Sequence, residues 1–286
     1  MTHTARTLGQ ALAQAREQGL DRLDAQMLLL QALGRPTDQR AWLLSHDTDP
    51  VPDSAEARFD TLAQRRLNGE PMAYLTGEQE FFGLMLHVDP RVLVPRADTE
   101  TLVEWALDVL RSAPSSGAGA EVLDLGTGSG AIALAVQSAC PVARVSATDA
   151  SPLALAVARA NAARLHLAVG FHAGHWLDAV PGRLFDLIVS NPPYIADHDP
   201  HLPALAHEPR SALTAGSDGL DDLRAIINGA AAGALRPGGC LLLEHGYDQA
   251  PAVRQLLQSA GFDQVSSRTD LAGIERCSGG CWPQQR

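Results

Sequence analysis

The chain has 286 residues, 45% of them hydrophobic, enough for a buried core in one large or two smaller domains. Its formal net charge is −11, and its 22 basic residues are all arginine, a balance that disfavours a protein built to hold duplex nucleic acid by its phosphates. No apolar run approaches the roughly 20 residues needed to span a bilayer, and Met1–Arg6 leads into a polar amphipathic segment without a signal-peptide core, so a cytoplasmic, membrane-free protein is expected.

From Thr7 to about Leu67 the pattern is helical. Leu8, Ala11, Leu12 and Ala15 recur at helix spacing, and Gly19 is placed to end that helix. Asp21 caps a second helix through Leu33, Thr37 starts a short third around Trp42, and Asp53 or Ser54 caps a fourth carrying Phe59 and Leu62. Phe82, Leu84, Leu86 and Val88 then alternate at strand spacing, and Val92–Val94 is expected to complete a β-hairpin. Arg96–Thr101 opens a further helix, and residues 112–117 read as a flexible loop.

Beyond that loop the rhythm is strand, turn, helix. Strands are expected at 121–125, 144–148, 167–172, 185–190 and 240–244, with helices at 131–139, 152–165, 219–234 and 248–260. This alternation predicts a parallel sheet covered on both faces. The cysteines at 140, 240, 277 and 281 give no disulfide framework, and Cys140 and Cys240 read as buried thiols. Cys277 and Cys281 are not followed by a histidine, and no metal site is expected.

Two motifs carry chemistry. Gly126-Thr127-Gly128-Ser129-Gly130 stands between the first sheet strand and its helix, where glycines allow a tight turn and close approach of a ligand. Asp149 ends the next strand, placed to accept both hydroxyls of a ribose. The spacing is neither that of a dinucleotide fold nor of a P-loop, and no basic residue in the turn awaits a phosphate. A nucleoside without phosphate, such as S-adenosylmethionine, matches better.

The second motif is Asn191-Pro192-Pro193-Tyr194, after the strand ending at Ser190. Two prolines stop the strand, leaving the Asn191 side-chain oxygen and nearby carbonyls free to accept hydrogen bonds from a flat NH2 group. A glutamine or asparagine amide fits, as does the amino edge of adenine or cytosine, with Tyr194 against its face. Ligands bind beyond the carboxyl ends of parallel strands, so both motifs are expected on one rim.

With these motifs the chain resembles a class I S-adenosylmethionine-dependent methyltransferase, and more closely the peptide chain release factor glutamine methyltransferases. The likeness extends to Tyr74-Leu75-Thr76-Gly77, Val94-Pro95-Arg96-Ala97-Asp98-Thr99-Glu100, Glu208–Leu213, Leu243-Glu244-His245-Gly246 and Asp270–Arg276. It implies an α/β fold: a Rossmann-like, mostly parallel seven-stranded sheet with a small all-helical N-terminal domain joined by a β-hairpin. The corresponding division is 1–72 for helical substrate recognition, 73–95 for the connector and 96–286 for the methyltransferase domain.

The resemblance also implies that Gly126, Thr127, Gly128, Ser129 and Gly130 wrap the methionine part of the cofactor and that Asp149 binds its ribose. Trp176 falls where the family has an aromatic near adenine, the alternative being a core tryptophan, and His175 stands where the family often has an acid. Asn191, Pro192, Pro193 and Tyr194 would be the catalytic set, with Asn191 also beside the cofactor, which leaves as S-adenosylhomocysteine. The implied partners are release factors, met by a monomer with no direct nucleic-acid contact. Methylation of a ribosomal-protein glutamine or of a DNA or RNA amino group are the alternatives.

Overall fold

A computed structural model describes residues 6–113 and 117–284. The chain divides into two compact units between Glu78 and Gln79. In the first, α1 (Leu8–Glu17), α2 (Arg22–Ala32), α3 (Arg40–Ser45), α4 (Asp53–Leu67) and α5 (Met72–Thr76) surround Leu8, Leu28, Leu29, Leu43 and Phe59. Each of these side chains is fully buried, a gain of about 1.5–3 kcal/mol apiece over exposure. Thr7 and Gln10 form a reciprocal capping box on α1, and Asp21 Oδ1 accepts from Leu23 N at 2.7 Å to cap α2.

Two caps differ from expectation. Gln39, not Thr37, precedes α3, and α4 begins at Asp53 behind Pro52, with no side-chain cap. Proline fits the helix entrance because its fixed φ directs the chain and no N–H is missed there.

The second unit carries a hairpin of β1 (Glu78–Phe81) and β2 (Leu84–His87), turned by Phe82 and Gly83, both at positive φ. The expected strand at Val92–Val94 is irregular instead. Asp89-Pro90 interrupts the pairing, and the Val94 N–H finds its partner in the Glu208 carboxylate at 3.0 Å. Helix α6 (Glu100–Ser112) follows; the expected loop that succeeds it falls partly at 114–116, outside the described residues.

The large sheet contains β3 (Glu121–Leu125), β4 (Arg144–Asp149), β5 (Gly170–Ala173), β6 (Phe185–Ser190), β7 (Leu235–Glu244), β8 (Asp263–Thr269) and β9 (Glu275–Cys281). Its order is β5-β4-β3-β6-β7-β9-β8, parallel except for the pairings of β9 with β7 and β8. Helices α7 (Ala131–Ala139), α8 (Pro152–Leu165), α9 (Asp221–Ala231) and α10 (Ala250–Ser259) complete the unit. The mostly parallel seven-stranded sheet is as expected. Its last two strands are not apolar runs, and they bring Cys281 opposite Cys240, where the two form a disulfide. Cys240 is therefore not a free thiol. Cys277 is a buried thiol and Cys140 is only half-buried.

Two buried polar residues fix the turns that matter. Asp124, in β3, accepts Thr127 Oγ1 at 2.6 Å and Ala133 N at 3.2 Å, bracing the glycine turn from beneath. Burial lifts its carboxyl to about 7, against the pull of those two donors and with a further push from Asp149. Asn161, fully buried in α8, accepts His87 N at 2.8 Å and donates to His87 O at 2.9 Å and Ser129 O at 3.0 Å. It ties the hairpin to the turn.

Replacing Asn161 with alanine strands the buried Ser129 carbonyl and removes the partner of the part-buried His87 backbone, and urea unfolding is expected to show a loss of about 2 kcal/mol. Asp124 yields a pH signature. Native Asp124 keeps its proton up to about 7, whereas the unfolded residue releases it near 4, so its contribution to stability falls as pH rises across that window. Asp124→Asn, which does not titrate, should gain steadily on the wild type between those limits and hold a constant difference above them. Unfolding free energies measured at a series of pH values check this.

Candidate active site

Strand order reverses direction between β3 and β6, which opens a crevice at their carboxyl ends. Their register pairs Leu125 with Ser190, so Gly126 and Asn191 are each the next residue out. Ser190 Oγ donates to Leu125 O at 2.7 Å, locking the two strand ends side by side.

The glycine turn is hooked to β4 by Gly126 N and Thr127 N, both donating to Thr148 O at 2.9 Å. Gly126, Gly128 and Gly130 have φ of 71°, 56° and 88°, the left-handed region that glycine tolerates. A Cβ on Gly126 would sit 2.9 Å from the Trp176 ring, and one on Gly130 would press Leu134 and Ala158. Among the described residues nothing lies within 4 Å of the corresponding point at Gly128, which faces open space.

That space is a cavity of about 480 Å³. Gly126, Gly128, Asp149, Trp176, Asn191 and Pro193 all line it, together with His175 and Asp222. Thr127, Ser129 and Gly130 do not. Thr127 and Ser129 are buried, Thr127 on Asp124 and Ser129 through its carbonyl on Asn161, so they shape the turn from behind. Asp149 Oδ2 accepts Gly128 N at 2.9 Å and Oδ1 accepts Ser151 N at 2.8 Å, leaving the carboxylate at the cavity wall with spare lone pairs. Trp176 lies against the glycine turn in a left-handed backbone conformation, with its six-membered ring close to Gly126. It is half-buried, neither a plain core residue nor an exposed one.

Within the second motif Pro192 is buried and Tyr194 lies behind the cavity, where its hydroxyl donates to Glu244 Oε1 at 3.3 Å. Burial and the adjacent Glu244 raise the Tyr194 phenol well above its ordinary value, so it remains protonated. Asn191 Nδ2 donates to Thr99 Oγ1 at 3.2 Å. Its Oδ1 is thereby turned the other way. Gln249 Nε2 donates to Tyr194 O at 2.9 Å and holds the exit of the motif. The following segment is pinned over the site by Glu208, whose carboxylate takes both Val94 N and the Arg96 guanidinium.

Sequence reasoning missed Thr99, Asp222, Glu244 and Gln249 as members of this constellation. Thr99 and Glu244 stood within stretches that carry the family resemblance, a signal that marks them without giving a role. Asp222 comes from the first turn of α9; burial raises its carboxyl, opposed by the neighbouring Trp176 indole and by His175. Among the described residues no cluster of His, Cys, Asp or Glu has the makings of a metal site, and no helix is long and apolar enough to cross a membrane.

The cavity suits S-adenosylmethionine: a glycine opening for an extended chain, a carboxylate for a ribose, and an aromatic wall for a purine. Comparisons with known proteins agree. Residues 5–77 match the PrmC N-terminal domain and residues 103–218 the methyltransferase small domain. The release factor glutamine methyltransferase of Bordetella pertussis is 57% identical over 267 residues, covering 92% of this chain and 95% of that protein. The one from Burkholderia pseudomallei is 51% identical over 273 residues, covering 92% and 93%. Among solved structures, a 16S rRNA N2 G1207 methyltransferase of T. thermophilus, in complex with AdoMet and guanosine, superposes with a TM-score of 0.54 at 21% identity, over 72% of this chain and 49% of that one. A methyltransferase of Pyrococcus furiosus does so at 0.53 and 20%, over 79% and 100%. These two show the fold, and the sequence relatives show the family: the chain belongs to the release factor glutamine methyltransferases.

Proposed function

We propose that this protein transfers the methyl group of S-adenosylmethionine to the side-chain amide nitrogen of the glutamine in the Gly-Gly-Gln motif of peptide chain release factors. The observation that carries the reading is the orientation of Asn191: its NH2 is engaged by Thr99, so Oδ1 is offered as an acceptor at the wall of the cofactor cavity. An amide NH2 needs two acceptors, and Oδ1 with the Pro192 carbonyl supplies them.

S-adenosylmethionine brings a sulfonium-bound methyl, an electrophile that needs no further activation. The chain's residues supply position and charge. A glutamine amide nitrogen is a weak nucleophile because its lone pair is shared with the carbonyl. Two hydrogen bonds accepted from its N–H groups raise the electron density on nitrogen and aim it along the line of displacement. Pro193 stiffens the wall, and Tyr194 supports the amide plane. With the cofactor bound, the N–C bond would form as the S–C bond broke and one N–H proton would pass to water, so no strong base is asked of the chain.

On the cofactor side, Gly126 and Gly128 admit the methionine chain, Asp149 takes the ribose hydroxyls, and Trp176 covers the adenine. Thr127, Ser129 and Gly130 hold the turn in shape. The acid that is replaced by His175 has a substitute in Asp222, whose carboxylate lines the same cavity and accepts the adenine amino group. The helical unit, residues 1–72 in this reading, recognises the body of the release factor, and the connector 73–95 joins it to the methyltransferase domain 96–286. The enzyme acts as a cytoplasmic monomer without direct nucleic-acid contact.

Two outcomes test the assignment. Asn191→Ala should retain cofactor binding by calorimetry yet lose methyl transfer by about 100-fold or more, read by mass spectrometry of the Gly-Gly-Gln peptide from unmodified release factor. Equal transfer by variant and wild type would remove Asn191 from the mechanism. Methylation only of a ribosomal protein or of nucleic acid would move the substrate instead. Asp222→Asn should weaken cofactor affinity about tenfold, because an amide is a poorer acceptor for the adenine amino group than a carboxylate.

A further inference from the structure

Glu244 is 1% exposed, yet it stands at the carboxyl end of β7, one residue beyond the point where Leu243 pairs with Ser190. A buried carboxyl is costly unless something needs it there. Tyr194 OH donates to its Oε1, while Oε2 is buried without a partner in hydrogen-bonding geometry among the described residues. The Thr99 hydroxyl, itself 3% exposed, lies beside the same carboxyl. Thr99 Oγ1 is also the acceptor of the Asn191 Nδ2 hydrogen bond at 3.2 Å. One acid therefore stands behind two members of the Asn191–Tyr194 motif.

A hydroxyl has one proton to give. If Thr99 gives it to Glu244, only its lone pairs face Asn191, and Asn191 must present NH2. If Thr99 gave it to Asn191 instead, the amide would turn over and aim NH2 at the cavity, where the substrate also carries NH2. The direction of the Thr99 proton thus decides whether the site offers an acceptor or a clashing donor. We propose that Glu244 is a positioning residue for methyl transfer: acting through Thr99 it fixes the Asn191 amide with Oδ1 toward the substrate, and through the Tyr194 hydroxyl it anchors the far end of the motif behind the cavity. This rests on the role given above to Asn191. Burial lifts the Glu244 carboxyl to about 7, and the Thr99 and Tyr194 hydroxyls and the Arg276 guanidinium pull it back down.

The test compares Thr99→Val, Thr99→Ser and Glu244→Gln, with Asn191→Ala as reference, using the full-length enzyme and unmodified release factor. Valine keeps the shape of threonine but neither accepts from Asn191 nor donates to Glu244. Serine restores both. Glutamine has an NH2 that must meet one of the two hydroxyls, forcing it to reverse. Thr99→Val and Glu244→Gln should lower kcat about tenfold or more with KM and cofactor affinity little changed, and Thr99→Ser should behave as wild type. In the Asn191→Ala background Thr99→Val should cost nothing further, because the two act as one unit. Should Glu244→Gln fail to fold, as a thermal melt would show, the threonine pair and the double variant decide the matter. Wild-type kcat in Thr99→Val, a loss confined to KM, or an additive double variant would overturn the relay while leaving the function intact. Wild-type transfer by Asn191→Ala would instead bring down the functional reading itself.

Discussion

The site depends on one register. Leu125 opposite Ser190 ends β3 and β6 at the same level, and the Ser190 hydroxyl on the Leu125 carbonyl keeps them there. Slipping that pairing by one residue would turn a strand's side chains to the opposite face of the sheet and separate the glycine turn from Asn191. Methyl transfer needs donor and acceptor aligned to within fractions of an ångström, so it is the parallel ladder, rigid and buried, that supplies the alignment. The flanking residues then refine it: Thr148 takes the N–H groups of the turn, and Gln249 takes the carbonyl of Tyr194.

Two buried acids serve the two halves of the crevice in parallel ways. Asp124 lies beneath the glycine turn and Glu244 behind the Asn191 motif, each at the end of a strand and each desolvated enough to titrate near 7. Neither lines the cavity. Each shapes a loop that does, by accepting hydrogen bonds that lock a threonine: Thr127 in one case and, as proposed, Thr99 in the other. Placing a carboxyl behind a wall rather than in it keeps the cavity chemistry simple while still fixing the wall's orientation.

What the sequence made legible was local. The glycine turn, Asp149 and the Asn191–Tyr194 motif each sit within a few residues of a strand end, and the parallel-sheet rule brings strand ends together without further knowledge. What stayed hidden came from afar. Thr99 meets Asn191 across 92 positions, and Glu244 meets Tyr194 across 50. Such encounters depend on packing that no periodicity records. The last two strands were obscured for another reason. Ser278-Gly279-Gly280 has little strand propensity, but a Cβ at Gly279 would collide with Leu242 and the Leu241 carbonyl, so the glycines are what let β9 lie against β7. That same register explains the Cys240–Cys281 bond, which spacing alone did not suggest. The Val92–Val94 segment erred the opposite way: its residues favour a strand, but Glu208 provides its backbone with a side-chain partner in place of a ladder.

Asn161 gives this architecture a thermodynamic consequence of its own. One side chain in α8 holds both backbone groups of His87 and the carbonyl of Ser129, so the hairpin edge and the cofactor turn share an anchor. Regions joined in this way open together, as a single cooperative unit, and not as two independent loops. A ligand seated on the glycine turn stabilises every closed state in which Asn161 is engaged, and its binding energy is spread to the His87 amide as slower hydrogen exchange there. The hairpin thereby belongs energetically to the cofactor site, although it contributes no atom to the cavity's glycine turn.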